Sequence, residues 1–116
     1  LYVHEMFLII LGNVRGCEGR AWAFERRPGK ELRGHDDLKL ALVQSRRDCM
    51  EACLGERHFD CRSAEYDTQT AECRLSSEDR RTRPNDYVDA QPTVEYLENQ
   101  CLPRKMIYEQ QGMFPA

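Results

Sequence analysis

Four of the chain's six cysteines fall between Arg46 and Ser76, in RRDCMEACLGERHFDCRSAEYDTQTAECRLS. Cys49 and Cys53 are four residues apart, and Cys61 and Cys73 follow at eight and twelve. Sulfurs this close hold a metal, carry redox chemistry or staple a small fold. A structural zinc site needs ligands in close pairs. Cys49 and Cys53 make one such pair, but Cys61 and Cys73 are too far apart to make the second. Redox catalysis favours Cys-x-x-Cys at a helix start, where the thiol is acidified. Here the spacing is Cys-x-x-x-Cys, inside a helix. Disulfides fit best, and they imply an oxidising compartment.

Six cysteines allow fifteen connectivities. Cys49 and Cys53 lie on one helix face, because four residues is close to one turn. Cys61 and Cys73 lie on neighbouring strands of an expected hairpin. The layout therefore points to nested bonds: Cys53–Cys61 inside Cys49–Cys73, inside Cys17–Cys101. The outermost would tie the first residue of the domain to its last.

With 116 residues there is room for one domain. Hydrophobic residues at 41% and charged residues at 32% fit a globular chain rather than a disordered one. The net charge of −3 weighs against nucleic acid as a partner. Charge is unevenly spread. Residues 15–33 carry a local surplus of basic groups, and the chain from Asp36 onward is net acidic. The apolar run Met6–Leu11 is too short to span a bilayer, so no membrane insertion of the domain is expected. Residues 1–16 read as a leader or truncated signal-like segment, 17–101 as the domain, and 102–116 as a linker-like tail toward a further module.

The helix is expected over Arg46–Leu54, capped by Ser45 with Asp48 three residues on, and stopped at Gly55. Strands are expected at Ala21–Arg26, Leu38–Val43, Cys61–Tyr66, Glu72–Ser76 and Val94–Glu98. In the second of these, period two puts Leu38, Leu40 and Leu42 on one side. Asp67–Ala71 reads as a hairpin connection, Arg27-Pro28-Gly29 as a turn, and Ser77–Pro92 as a polar loop. One helix among five short strands gives a small α+β domain with an antiparallel sheet.

Candidate ligand contacts follow from charge and exposure. Arg80, Arg81 and Arg83 share the polar loop and would suit a sulfated glycan or an acidic protein. Arg26 and Arg27, in the basic stretch, form a second candidate. Tyr87 is the aromatic expected to be exposed for a partner, whereas Trp22, Phe24, Phe59, Tyr66 and Tyr96 read as core. His4, His35 and His58 have no nucleophile placed to work with them, so no catalytic residues are assigned. No loop offers the oxygen series of a calcium site, and no metal or cofactor is expected.

The helical CMEAC (Cys49–Cys53), FDCRSAEYD (Phe59–Asp67), ECRLS (Glu72–Ser76) and VEYLENQC (Val94–Cys101) together resemble the PAN/apple module, over Cys17 to Cys101. More narrowly, AWAFERRPGKEL, CRSAEYD, CRLSSEDRRT and YLENQC look like PAN modules of invertebrate apical extracellular-matrix proteins that also carry a zona pellucida domain. The resemblance implies a five-stranded antiparallel sheet crossed by one helix, with nested disulfides. It also implies a secreted, non-catalytic module that binds an extracellular protein or glycan and mediates adhesion between epithelium and cuticle. The alternative it leaves open is an apple-type docking module of a secreted receptor or protease, binding a protein or sulfated glycan.

Overall fold

The structure, a computed structural model, describes residues 23–101. The leader-like residues 1–16, Cys17, the expected strand start at Ala21 and Trp22, His4 and the tail 102–116 lie outside the described residues. The elements run β1 (Phe24–Pro28), β2 (Lys30–Leu32), β3 (Leu38–Leu40), α1 (Arg46–Gly55), β4 (Ser63–Asp67), β5 (Glu72–Ser76), a single 3-10 turn (Pro84–Asp86), β6 (Tyr87–Asp89) and β7 (Val94–Asn99). Five strands form one antiparallel sheet in the order β1-β7-β4-β5-β3, and β2 and β6 pair as a separate two-stranded ribbon. This is the small α+β architecture read from the sequence.

Alternation gives the sheet two unlike faces. Phe24, Ala64, Tyr66, Cys73, Leu75 and Leu97 point to one side and form a buried apolar cluster with Cys49, Cys53 and Cys61. Helix α1 lies on this side. Ser45 opens it, accepting the Asp48 N–H at 3.1 Å, which satisfies one of the free N–H groups of the first turn. The helix has ten residues, and only its two cysteines are fully buried. Such a helix is marginal alone. Cys49 is bonded to Cys73 of β5, and Cys53 to Cys61 just ahead of β4. Tyr66 donates from its hydroxyl to the Val43 carbonyl at 2.7 Å and secures the segment that leads into the helix.

The chain passes from the sheet to the ribbon at Gly29, whose φ of +73° is open to glycine at little cost. Its N–H donates to Val94 at 2.7 Å and its carbonyl accepts from Ala90 at 3.0 Å. Of the ribbon's two strands, β6 lies within the expected polar loop and β2 follows directly on the expected turn, where the sequence pattern predicts no strand. Its strands are three residues each and pair across more than fifty positions of sequence, so no local pattern announces them.

One expected strand is shorter than its pattern. Leu38–Val43 keeps strand geometry only to Leu40, and Leu42 does not continue the apolar side. Leu42 stands at φ +56° with 81% of its surface exposed. The chain must turn there to reach the helix, and Val43 donates its N–H to Ala71, itself at φ +64°. A leucine in the left-handed region costs about 1 kcal/mol. Leu42→Gly is therefore expected to stabilise the domain by about 1 kcal/mol in urea unfolding, and a loss would show that the side chain packs.

The two cross-links close loops of different size, with sequence separations of 24 for Cys49–Cys73 and 8 for Cys53–Cys61. On the loop-entropy model they contribute about 3.5 and about 2.6 kcal/mol. Paired Cys→Ala variants measured by urea unfolding should lose stability in that order. The reverse order would show that local packing outweighs chain entropy.

Candidate ligand-binding face

The face of the sheet away from the helix carries Glu25, Glu65, Glu72, Arg74, Tyr96 and Glu98, and the ribbon and the loop after β5 cover much of it. Glu65 is buried at 3% exposure. One oxygen accepts the Leu32 N–H of the ribbon at 2.6 Å, and the other accepts from Arg74 Nε at 3.1 Å. Burial, with Asp36 and Glu31 nearby, outweighs these partners and pushes the Glu65 carboxyl up to about 7. Burial also raises Asp36 above its ordinary value.

Tyr96 and Glu98 form a second buried centre. The Tyr96 hydroxyl donates to Glu98 at 2.9 Å and accepts the Arg80 N–H at 2.8 Å. Burial and the Glu98 charge drive its pKa far up, so it stays a donor. Asp79, fully buried, organises the adjoining loop by accepting the N–H groups of Arg81 at 2.9 Å and Thr82 at 3.0 Å. An aspartate that folds its own following backbone is a standard way to build a tight turn. Arg62, also buried, lies 3.7 Å from the same carboxylate.

These carboxylates decide the role of the loop arginines. Arg80 pairs with Glu25 at 2.7 Å and Glu98 at 3.0 Å. Arg81 pairs with Asp79 at 3.4 Å, and Arg83 with Glu78 at 3.4 Å. Arg26 donates to Glu95 at 2.7 Å, and Arg46 of the helix shares that carboxylate. Arg27 pairs with Glu25. The arginines of the first and second candidates thus meet in part through Glu25, and each has an acidic neighbour in contact. They do not form a bare cationic patch.

Tyr87 is placed differently from its sequence expectation. It sits half-buried in β6 with its ring edge-on to Tyr96 at 5.0 Å, Lys30 Nζ at 5.5 Å and Arg80 at 5.9 Å from its centre. Its hydroxyl is buried with no hydrogen-bond partner. It braces the ribbon against the sheet and is not an exposed contact. His35 holds Asp86 at 2.7 Å and clips the ribbon's exit to the 3-10 turn, while His58 is exposed beside Glu56.

Cys49, Cys53, Cys61 and Cys73 are each bonded and almost wholly buried, and Cys101 is bonded too. Its expected partner, Cys17, lies outside the described residues. Among the described residues there is no group of His, Cys, Asp and Glu placed to hold a metal ion, and no helix long and apolar enough to cross a membrane. Between ribbon and sheet opens a cleft of about 560 Å³ lined by charged side chains of both signs, among them Glu31, Arg33, Arg74 and Asp89.

Sequence reasoning did not find this cleft or the buried carboxylates. Glu65 and Glu98 alternate with apolar neighbours, which ordinarily marks a solvated face. Only the pairing of Lys30–Leu32 with Tyr87–Asp89 reveals that a ribbon covers them.

Residues 17–101 match the family model for the PAN domain. Protein let-653 of Caenorhabditis elegans is 26% identical over 94 residues, which cover 78% of this chain and 12% of the nematode protein. The chain thus spans a small part of that relative's length.

The two tyrosines give opposite expectations. Tyr96→Phe takes the acceptor from the half-buried Arg80 N–H and one donor from the buried Glu98 carboxylate, which keeps Arg80 at 3.0 Å, and should cost about 1–3 kcal/mol in urea unfolding. Tyr87→Phe removes a hydroxyl that has none, and should be neutral or slightly stabilising. Equal losses would show that both hydroxyls are satisfied in solution.

The carboxylates set a pH profile. The folded pKa of Glu65 lies above its unfolded value, so stability should rise as pH falls from about 7 toward the ordinary carboxylate range. Glu95 is held down at about 2 by hydrogen bonds from Arg46 and Arg26 despite its burial. Its stabilisation is full above the ordinary carboxylate range and is lost as pH falls toward about 2. Urea midpoints measured against pH should peak near pH 5, and Glu65→Gln should flatten the limb between 5 and 7 while sparing the acid limb. A limb unchanged in that variant would assign the neutral-range titration to another group.

Proposed function

The chain belongs to the PAN domain family, and from that premise we propose that it acts as an adhesive binding module in an apical extracellular matrix. PAN domains are generally non-catalytic modules that bind protein or carbohydrate, and they occur in extracellular proteins. The observation that carries the proposal is the pair of buried disulfides between helix and sheet. Such bonds persist in an oxidising, extracellular setting. A cross-linked scaffold presents its loops with little entropy left to lose, so recognition costs less on binding. In this reading a third bond, Cys17–Cys101, closes the domain. A zona pellucida domain and further modules would lie elsewhere in a longer chain, and the likeness to the Caenorhabditis elegans protein is in keeping with an invertebrate source for that arrangement.

The second reading is an apple-type docking module of a secreted receptor or protease that binds a protein or sulfated glycan, and its sulfated-glycan form needs free cationic groups. Arg80, Arg81, Arg83, Arg26 and Arg27 each contact a carboxylate, which favours the first reading. The test is a secreted, fluorescently tagged chain expressed in a cuticle-bearing epithelium. Retention in the apical matrix after washing is expected. A tag that stays in the medium, or spreads equally to apical and basal sides, would contradict the proposal. Strong heparin retention with steep loss in salt would transfer support to the second reading.

A further inference from the structure

The cleft between ribbon and sheet combines two kinds of surface. Its polar walls come from Glu31, Arg33, Asp67, Arg74, Asp89 and Gln91, and half-buried Ala90 with the mostly buried Val94 adds a small apolar edge. At about 560 Å³ it falls within the usual range of ligand clefts. Its charges are already matched. Arg33 donates through Nε and Nη2 to one oxygen of Glu31, at 3.2 and 2.7 Å. Lys30 donates to one oxygen of Asp89 at 2.6 Å. Arg74 donates to Glu65 at 3.1 Å and Glu72 at 3.3 Å. One oxygen of Asp67 accepts the N–H groups of Gln69 and Thr70, at 2.9 and 3.3 Å.

A strongly charged ligand would have to displace one of these partners. A neutral ligand need not. A guanidinium carries five N–H donors and a carboxylate about four acceptor positions, so the paired groups keep capacity on their open sides. The Arg33 side chain is 67% exposed and the Asp89 side chain 88% exposed. A hydroxyl both donates and accepts, and can bridge a carboxylate to a guanidinium without breaking either pair. The small apolar edge at Ala90 can touch the C–H face of a sugar ring.

The geometry points to this cleft as a binding site for a neutral, hydroxyl-rich oligosaccharide. The inference rests on the reading of the chain as a binding module and assigns that module a site and a ligand class. It predicts recognition that is largely insensitive to salt, unlike counterion-driven binding of a sulfated chain.

The test presents the whole chain to an array of neutral and sulfated oligosaccharides, then titrates the best neutral binder into ¹⁵N-labelled protein. Amide shifts are expected at 31–33, 67–69 and 89–91, with affinity changing less than about twofold between about 0.05 and 0.3 M salt. Asp89→Ala with Gln91→Ala, both exposed positions, should weaken binding about tenfold while the rest of the amide spectrum stays in place. If that double variant disturbs the fold, Arg33→Ala alone serves the same purpose. Binding confined to sulfated chains, shifts elsewhere on the domain, or no neutral binder on the array would each overturn the inference. Any of those results leaves matrix retention of the tagged chain standing. Loss of retention with intact cleft binding would overturn the matrix role instead.

Discussion

The helix is held to the sheet by two sulfur bridges more than by its own apolar stripe. Its ten residues bury only Cys49 and Cys53 completely, and Met50, Ala52 and Leu54 pack only in part. A helix with so little buried surface has weak reason to stay in place. Bonding to Cys73 and Cys61 fixes it across β5 and the entry to β4. The same sulfurs fill the centre of the apolar cluster, so cross-link and core are one feature. A domain of this size has a modest hydrophobic core, and covalent closure supplies stability the core cannot.

The other face of the sheet depends on that clamp and solves a different problem. With one side sealed by the helix, the opposite side carries buried carboxylates and arginines under a three-residue ribbon. Burying charge is costly unless each group is paired and hydrogen-bonded. Glu65 takes the ribbon's Leu32 N–H and the Arg74 guanidinium, and Glu98 takes Tyr96 and Arg80. These contacts set the ribbon's position and hence the shape of the cleft. The loop arginines serve the scaffold in the same way, which explains why an arginine-rich loop need not be a cationic binding patch.

What could be read from the sequence was local or periodic. Ser45 and Asp48 mark the helix start at the position where the side chain caps it. Alternation in Cys61–Tyr66, Glu72–Ser76 and Val94–Glu98 marks three strands of the sheet within a residue or two. Leu42 misled because a period-two pattern carries no information on where a strand must end. The chain has to turn toward the helix there, and backbone geometry overrode the pattern. Tyr87 misled because a polar neighbourhood in sequence does not show what folds over it: Tyr96 of β7 and Arg80 of the preceding loop enclose it in space. The ribbon was illegible for a related reason, since its two short strands are joined only through long-range pairing.

The central claim is that buried disulfides between helix and sheet hold this surface rigid in an oxidising environment. Non-reducing digestion of the secreted chain, with peptide masses compared before and after reduction, tests it most directly. The account predicts peptides joining Cys49 to Cys73 and Cys53 to Cys61, with no free thiol at any of the four. Free thiols at those positions, or a crossed Cys49–Cys61 pairing, would contradict it.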